Sequence, residues 1–199
     1  MEHNLQVTEL AGLHRPALLR HFLALDAHDR RLRFGAAMSA AALRAYVARI
    51  DFERDAAFGI FAGDLELLGV AHVARARGHA ELGISVLAAH RNQSAGAALL
   101  ERALLRARNW GVRALFMHCL RDNETMMHIA RKQGMRIVTE QGEANAWLAL
   151  APADAASHFG EVFAQRVALF DYALKALSAG FARSPGAGHA ASTPRATPR

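Results

Sequence analysis

The sequence has a single cysteine, Cys119, and no long stretch of uncharged apolar residues. One cysteine cannot form an internal disulfide, which excludes a disulfide-stapled secreted fold and favours a reducing compartment. A helical membrane span would need roughly 18 or more consecutive apolar residues, and no such run occurs. Residues 1–10 carry acidic side chains and lack the apolar segment of a signal peptide. We therefore expect a cytoplasmic protein without membrane contact.

Sequence motifs of several enzyme classes are also missing. Neither the dinucleotide-binding string G-x-G-x-x-G nor the P-loop string G-x-x-x-x-G-K-[ST] is present. His14, His21 and His28 recur every seven residues, whereas a helical metal pair needs i, i+4 spacing. No serine or cysteine nucleophile signature occurs either. We therefore expect no metal site and no chemistry through a covalent enzyme intermediate.

Lysine is scarce, since only two of the 24 basic residues are lysine, and the net charge is +6. A basic protein of this kind can contact nucleic acid. The arginines are scattered among acidic residues, however, and form no basic stripe with aromatics between them. This pattern favours a solvated arginine surface, and we do not expect nucleic acid as the main partner. With 199 residues, 52% of them hydrophobic, the chain can bury a full core.

The most informative stretch of the sequence is residues 80–104. The alternating apolar residues Leu82, Ile84 and Val86 predict a strand. A turn of small and polar residues follows, and an Ala/Leu-rich helix starts directly after it. Such a turn exposes backbone N–H groups, and the helix adds the positive end of its dipole. The stretch therefore predicts an anion site, with phosphate as the obvious guest.

This loop resembles the acetyl-CoA pyrophosphate loop of the GNAT family of N-acetyltransferases, whose pattern is [RQ]-x-x-G-x-[GA]. Aligned without gaps, the loop residues are Arg91, Asn92, Gln93, Ser94, Ala95 and Gly96. Ser94 then stands where the family has its first glycine. A shifted register, from Gln93 through Gly96 to Ala98, matches the pattern literally. We prefer the gapless alignment because it keeps the following helix where the family places it.

The order of the other predicted elements also resembles that family, over roughly residues 5–150. The expected strands are 6–8, 56–62, 67–74, 112–119, 135–140 and 145–150, and the expected helices are 17–26, 40–49 and 123–134. The resemblance implies an α/β (α+β) acyl-CoA N-acyltransferase fold, with a mixed twisted sheet and helices on both faces. Segment 26–39 and the turn 141–145 are expected to contact the acceptor.

We divide the chain into three parts. Residues 1–152 are the expected acetyltransferase domain. Residues 153–181 carry apolar residues at helical spacing and are expected to form a C-terminal amphipathic helix, which packs on its own domain or on a second subunit, as in a homodimer. Residues 182–199 are rich in Ala, Gly, Pro, Ser and Thr, and we expect them to be disordered.

The resemblance implies an N-acetyltransferase that moves the acetyl group of acetyl-CoA, as co-substrate, to a primary amine by direct attack; the acceptor amine stays open among amino acids, polyamines, antibiotics and protein lysines. A protonated amine cannot attack, so a base must take a proton. Glu81 stands where many family members carry a catalytic glutamate, although a surface glutamate at a strand end is an equal alternative. The implied cofactor contacts are Val86 and Leu87 (backbone), Arg91, the loop residues Asn92, Gln93, Ser94, Ala95, Gly96 and Ala97, and Asn123.

The general acid is not identified by the sequence. Many family members place a tyrosine where this chain has Ala130, and His118, Cys119 or His128 are possible substitutes. Each of these three more simply has a structural role. A non-catalytic CoA-binding sensor therefore remains the alternative to an enzyme. The segment DRRLRF (residues 29–34) resembles a linker of bacterial protein acetyltransferases, which hints at a lysine or peptide acceptor.

Overall fold

The computed structural model describes residues 5–91, 93–140 and 143–183. Within these residues, seven strands form one sheet in the order β1-β2-β3-β4-β5-β7-β6. The strands are β1 (Thr8–Leu10), β2 (Ala56–Phe61), β3 (Leu67–Arg75), β4 (His79–Val86), β5 (Ala114–Leu120), β6 (Arg136–Glu140) and β7 (Glu143–Ala149). The helices are α1 (Arg15–Ala24), α2 (Ala27–Phe34), α3 (Ala40–Arg49), α4 (Ala95–Asn109), α5 (Glu124–Lys132) and α6 (Ala155–Arg183).

The two faces of the sheet bury two separate hydrophobic cores. On one face, Leu82 and Leu115 pack with Leu99 of α4 and the partly buried Ile129 of α5. On the other, residues of the sheet such as Phe61, Val70 and Leu87 pack with α1 and α3. Alternate residues of a strand point to opposite faces, so one sheet can serve both cores. The predicted mixed α/β architecture with helices on both faces is confirmed.

Strands β4 and β5 separate part-way along their length. They are the only parallel neighbours in the described sheet, and they pair only between His79–Glu81 and Ala114–Phe116. Beyond Glu81 and Phe116, β4 stays paired with β3, and β5 stays paired with β7. The two strands therefore diverge and leave a wedge-shaped gap. The backbone groups of β4 that face this gap have no neighbouring strand.

One helix was not expected from the sequence. Helix α2 lies within segment 26–39, for which the sequence predicts an acceptor contact but no helix. The carboxylate of Asp26 accepts a hydrogen bond from the N–H of Asp29, and Gly35 ends the helix with a φ of 74°. Both are standard helix-end features. The helix has little apolar periodicity, because four of its eight residues are charged, and this is why it was missed. The first strand also lies later than predicted, at Thr8–Leu10.

Helix α6 docks on α4 through a buried polar network. The carboxylate of Glu161 accepts hydrogen bonds from Arg102 (3.0 Å), Asn109 (2.6 Å) and Arg106. Burial raises the pKa of Glu161, but the hydrogen bond from Asn109 and the charges of Arg106 and Arg102 outweigh this and lower it overall. The C-terminal helix is thus attached by charge-assisted hydrogen bonds. None of the described helices is both long and apolar enough to cross a bilayer.

Candidate functional site

The gap between β4 and β5 opens into a cavity of about 420 Å³ at the start of α4. We call it the loop cavity. Residues that the sequence analysis assigned to a cofactor make up much of its lining, namely Val86, Arg91, Ser94, Ala95, Gly96, Ala97 and Asn123. Gln93 is exposed and is not part of the lining. Asn92 and residues 141–142 lie outside the described residues. The structure therefore brings most of the predicted loop residues to one cavity.

Leu87 does not lie at this cavity. Its N–H donates to the carbonyl of Leu68 at 2.9 Å, and its carbonyl accepts from the N–H of His90 at 2.9 Å. Its side chain is buried in the core beside α1 and α3. The structure thus assigns both backbone groups of Leu87 to internal hydrogen bonds. Among the two strand residues expected to pair with a pantetheine arm, only Val86 reaches the cavity.

The N-terminus of α4 has the features of an anion site. The helix begins at Ala95, and its first internal hydrogen bond runs from the N–H of Ala98 to the carbonyl of Ser94 at 3.0 Å. No side chain caps this end, and its first turn contains no acidic residue. The N–H groups of the first turn, which have no partner inside the helix, therefore lie at the cavity wall together with the positive end of the helix dipole. A phosphate group fits this arrangement.

Ser94 adopts a backbone conformation that normally requires glycine. Its φ is 61°, and within the described part of the chain only one other non-glycine residue, Leu65, has a positive φ. The left-handed conformation is unstrained for glycine and costs other residues about 1 kcal/mol or more. This explains why the GNAT pattern has glycine at this position and supports the gapless alignment. Gly96, in the helix, is tightly packed instead: a Cβ there would lie 2.9 Å from the side chain of Ile129.

Arg91 is held by an acidic residue at the cavity. Its guanidinium lies 2.5 Å from the carboxylate of Asp29 on α2, whose side chain is buried. Its Nε also donates to the carbonyl of Val86 at 3.4 Å. The positive charge of Arg91 is therefore balanced within the protein. Arg33 and Lys132 add two further positive charges to the lining, and His90 and His128 also contribute to it.

A second cavity, of about 530 Å³, lies on β4 next to the first. We call it the Glu81 cavity. Besides Glu81, its polar lining residues are Arg33, Tyr46, His72, His118 and Asn145. Glu81 is the last residue of β4 that pairs with β5, so it marks the point at which the strands diverge. Its side chain is about half exposed, and its carboxylate lies 3.7 Å from Nε2 of His79. A carboxylate in this position is accessible to a substrate or a water molecule.

A directional chain of hydrogen bonds crosses one wall of the Glu81 cavity. Asp55 accepts a hydrogen bond from Nε2 of His72 at 3.3 Å, so Nδ1 of His72 is the acceptor for the hydroxyl of Tyr46 at 2.8 Å. The oxygen of Tyr46 in turn accepts from Arg33 at 3.1 Å. Burial lowers the pKa of His72, the charge of Arg33 lowers it further, and Asp55 opposes both effects. His72 is therefore neutral near pH 7.

The residues considered as a general acid lie in different places. His118 lines the Glu81 cavity, and its Nδ1 lies 2.5 Å from the amide oxygen of Asn145. Cys119 also lines it, but its thiol donates to the carbonyl of Ala144, and burial raises the thiol pKa. His128 is exposed at the loop cavity. Ala130 is fully buried in the core beside α4.

Three polar residues of the Glu81 cavity were not predicted as site residues. Arg33 lies in segment 26–39, which was expected to contact the acceptor, but the sequence analysis singled out no residue of that segment. Tyr46 on α3 and His72 on β3 are 26 residues apart in the sequence and belong to no recognisable motif. Only folding brings them together. Among the described residues, no group of three or more His, Cys, Asp or Glu side chains could hold a metal ion.

Comparison with known proteins identifies the family. A model of the acetyltransferase (GNAT) family matches residues 21–135, more than half of the chain. The protein therefore belongs to the GNAT acetyltransferase family. No curated protein matches the chain significantly.

Several solved structures have the same fold at low sequence identity. The GNAT domain of S. lividans PAT is 20% identical with a TM-score of 0.63, and the match covers 72% of this chain and 89% of that one. The structure of yncA of Salmonella typhimurium, solved with its cofactor acetyl-CoA, is 13% identical with a TM-score of 0.58, and the match covers 76% of this chain and 97% of that one. Spermidine N-acetyltransferase of Vibrio cholerae, in complex with CoA and spermine, is 15% identical with a TM-score of 0.59, and the match covers 72% of this chain and 95% of that one.

Proposed function

We propose that this protein transfers the acetyl group of acetyl-CoA to a primary amine by direct attack in a ternary complex. One observation carries the proposal. The loop cavity, with its anion-binding helix end, and the Glu81 cavity adjoin along a single strand, β4. Ile84, Ser85 and Val86 line the first, and Glu81, Leu82 and Gly83 line the second. A cofactor and an acceptor bound there would meet at the gap between β4 and β5.

In this proposal the first turn of α4 binds the pyrophosphate of acetyl-CoA, while the free edge of β4 near Val86 pairs with the pantetheine arm. Helix N-termini bind phosphate through their unpaired N–H groups. Arg91 would contribute once the phosphates compete with Asp29 for its guanidinium. Asn123 also lines the cavity, and its side chain already accepts from the N–H of Met126 at 3.2 Å. Two structural neighbours solved with acetyl-CoA or CoA support this assignment.

Glu81 is the proposed general base. The nitrogen of the neutral amine attacks the thioester carbonyl, and the new C–N bond forms as the C–S bond breaks. The proton released by the amine passes to Glu81, directly or through water, and the CoA thiolate leaves with the bond electrons. The developing oxyanion is stabilised by a backbone N–H of the free edge of β4. Water protonates the thiolate in this scheme, because Ala130 replaces the tyrosine found in many relatives.

The alternative is a CoA-binding sensor without catalysis. The strained Ser94, the Arg91–Asp29 ion pair and the buried Ala130 favour it. Substitution Glu81→Gln separates the two functions. For an enzyme we expect kcat to fall about 100-fold or more with unchanged acetyl-CoA affinity, since one general base contributes on the order of 10²–10⁴-fold. Glu53→Gln, at an exposed position outside both cavities, is the matched control. Equal turnover in both variants would exclude Glu81 as the base.

We also propose that the partner of helix α6 is a second copy of this chain. Seven large apolar residues of the helix are about half exposed or more: Phe159, Val162, Phe163, Leu169, Phe170, Leu174 and Leu177. Three phenylalanines at about 200 Å² each, roughly two thirds exposed, and four aliphatic side chains together offer roughly 700 Å² of surface. A standard protein interface buries about 800 Å² on each partner. The face is therefore large enough for a symmetric helix pair.

A further inference from the structure

Arg33 stands out in the Glu81 cavity because its charge is not balanced by an acid. The ion pairs among the described residues do not include it. Its neighbours are the rings of Phe34 (4.8 Å), Phe22 and Tyr46 (5.9 Å each). One hydrogen bond, to the hydroxyl of Tyr46, is made, and its Nε is buried without a partner. An arginine in this state has unused hydrogen-bond donors and a strong preference for an anion.

The guanidinium of Arg33 lies directly on the backbone of β4. A Cβ placed on Gly83 would be only 2.1 Å from one Nη of Arg33. Arg33 therefore occupies the space that a side chain at position 83 would fill. Glu81 precedes Gly83 by two residues and shares its face of the strand. The arginine and the glutamate thus lie side by side along β4, with strand positions about 6.6 Å apart.

This pair matches the two ends of an amino acid. In an α-amino acid, the nitrogen and the carboxyl carbon are about 2.5 Å apart, given bond lengths of about 1.46 and 1.52 Å. Adding a hydrogen bond of about 2.9 Å at each end gives a span of roughly 8 Å. That span is comparable with the roughly 6.6 Å between strand positions 81 and 83, the first of which carries Glu81 and the second of which lies under the guanidinium of Arg33. Guanidinium groups bind carboxylates through two parallel hydrogen bonds, which would fix the orientation of the molecule.

The other charges of the cavity favour the same kind of ligand. Among the described residues of its lining, Glu81 is the only carboxylate, and His72 is neutral near pH 7. A polyamine carries several positive charges, so it would meet the unbalanced charge of Arg33 and find a single acid. A protein lysine presents a long side chain with no carboxylate near its amine. Neither acceptor uses Arg33.

We propose that the acceptor of this enzyme is a free amino acid, whose carboxylate binds Arg33 while its α-amine faces Glu81. This proposal rests on the acetyltransferase function proposed above. It makes Arg33 a residue that determines specificity, and it assigns a role to the segment DRRLRF other than recognition of a peptide. Tyr46 then holds the guanidinium in place, and Tyr46 is itself held by His72, which is hydrogen-bonded to Asp55.

The experiment compares amino acids with their amides as acceptors in a thiol-release assay with acetyl-CoA. The amide of each amino acid keeps the amine and the side chain and removes only the negative charge. We expect kcat/KM at least tenfold higher for the best amino acid than for its amide. Arg33→Met should raise the KM of that amino acid ten- to a hundredfold and change the amide little. Arg33→Lys should restore part of the difference.

Two controls make the result decisive. Arg31→Met removes an exposed arginine of the same helix, which pairs with Asp122 outside both cavities, and should leave both acceptors unchanged. Calorimetric titration with acetyl-CoA shows whether each variant keeps its fold and its cofactor site. A kcat/KM for the amides equal to that for the amino acids would overturn the proposal. An equal loss of kcat/KM for both acceptors in Arg33→Met would also overturn it. Acetyl-CoA binding without turnover of any amino acid would also overturn it, whereas failure of the wild type to bind acetyl-CoA refutes the proposed function itself.

Discussion

The hydroxyl of Ser85 donates a hydrogen bond of 2.8 Å to Nε2 of His21, while Nδ1 of the same ring donates to the carbonyl of Leu67 at 2.7 Å. The carbonyl can only accept, so Nδ1 carries the proton and Nε2 is the acceptor. Both side chains are buried, and His21 connects α1 to β4 beside the loop cavity. Burial is the main reason that the pKa of His21 is lowered to about 4; the bond to Leu67 opposes this effect, and the charge of Arg33 adds to it.

This lowered pKa predicts a loss of stability in acid. The unfolded chain binds a proton at His21 below pH 6.5, whereas the native protein does so only near pH 4, so protons favour unfolding between these values. A shift of this size corresponds to a loss on the order of 3 kcal/mol across the window. Substitution His21→Gln should flatten the dependence of the unfolding free energy on pH by about that amount. Denaturant titrations from pH 4 to pH 7.5 measure it.

His28→Gln is the control for this prediction, because His28 is exposed on α2. The wild type and this control should show the same pH dependence. If His21→Gln retains the full acid sensitivity, His21 is not the residue responsible.

The phosphate assignment predicts opposite effects on stability and affinity for Ala97→Asp. Ala97 is the third residue of α4 and lines the loop cavity. An acidic side chain near a helix N-terminus stabilises the helix by about 0.3–1 kcal/mol. The same charge would repel the pyrophosphate of acetyl-CoA. We expect thermal stability equal to or above the wild type and acetyl-CoA affinity at least tenfold lower, as measured by calorimetry.

Ala97→Asn is the matched neutral variant, since it has a similar shape without the charge. It should keep an affinity within about threefold of the wild type. Equal affinities for the acidic and neutral variants would show that no phosphate lies at this helix end.

The backbone conformation of Ser94 predicts that glycine and a β-branched residue at this position differ in stability and in acetyl-CoA affinity. Its φ of 61° suits glycine, and a β-branched side chain is strongly disfavoured there. We expect Ser94→Gly to bind acetyl-CoA at least as tightly as the wild type. Ser94→Val should distort the loop, costing about 1–2 kcal/mol of stability and weakening acetyl-CoA binding. Unfolding and calorimetry of the two variants test this, and similar behaviour of both would mean that the loop does not depend on this conformation.

The exposed face of α6 predicts a dimer that acidic substitutions dissociate. Phe163 and Phe170 are two turns apart on this face and are 63% and 68% exposed. The double variant Phe163→Asp, Phe170→Asp places charges at the centre of the proposed interface. Analytical ultracentrifugation should show a dimer for the wild type and a monomer for the variant. Leu13→Asp, an exposed apolar residue outside α6, should remain dimeric. A monomeric wild type at micromolar concentration would refute the proposal.

The fold was predictable because its strands and main helices have clear periodicity. The alternation around Leu82, Ile84 and Val86 identified β4, and the predicted helix 40–49 is α3, whose N-cap Ser39 accepts a hydrogen bond from the N–H of Ala42 through its hydroxyl. Helix α2 was not predicted, since its charged sequence forms a helix because of its caps and its tertiary contacts. The divergence of β4 and β5 is also a tertiary feature that no local pattern encodes.

The candidate site was predictable only where it is local in sequence. The loop at Ser94 lies within one strand–loop–helix unit, so most of its residues could be assigned together. The Glu81 cavity combines Arg33, Tyr46 and His72 from three different elements, and no spacing rule relates them. Leu87 was assigned wrongly although it is next to a cavity residue in sequence. Its neighbour Val86 lines the loop cavity, but the N–H of Leu87 is hydrogen-bonded to the carbonyl of Leu68 and is not available to a ligand.

The central claim is that the loop cavity binds acetyl-CoA, and a calorimetric titration of the wild-type protein with acetyl-CoA tests it most directly. We expect one site with a dissociation constant in the micromolar range, which the charge at position 97 in Ala97→Asp weakens at least tenfold. Heat of binding that is the same for both proteins would place the cofactor elsewhere. A folded wild-type protein that shows no binding would contradict the account.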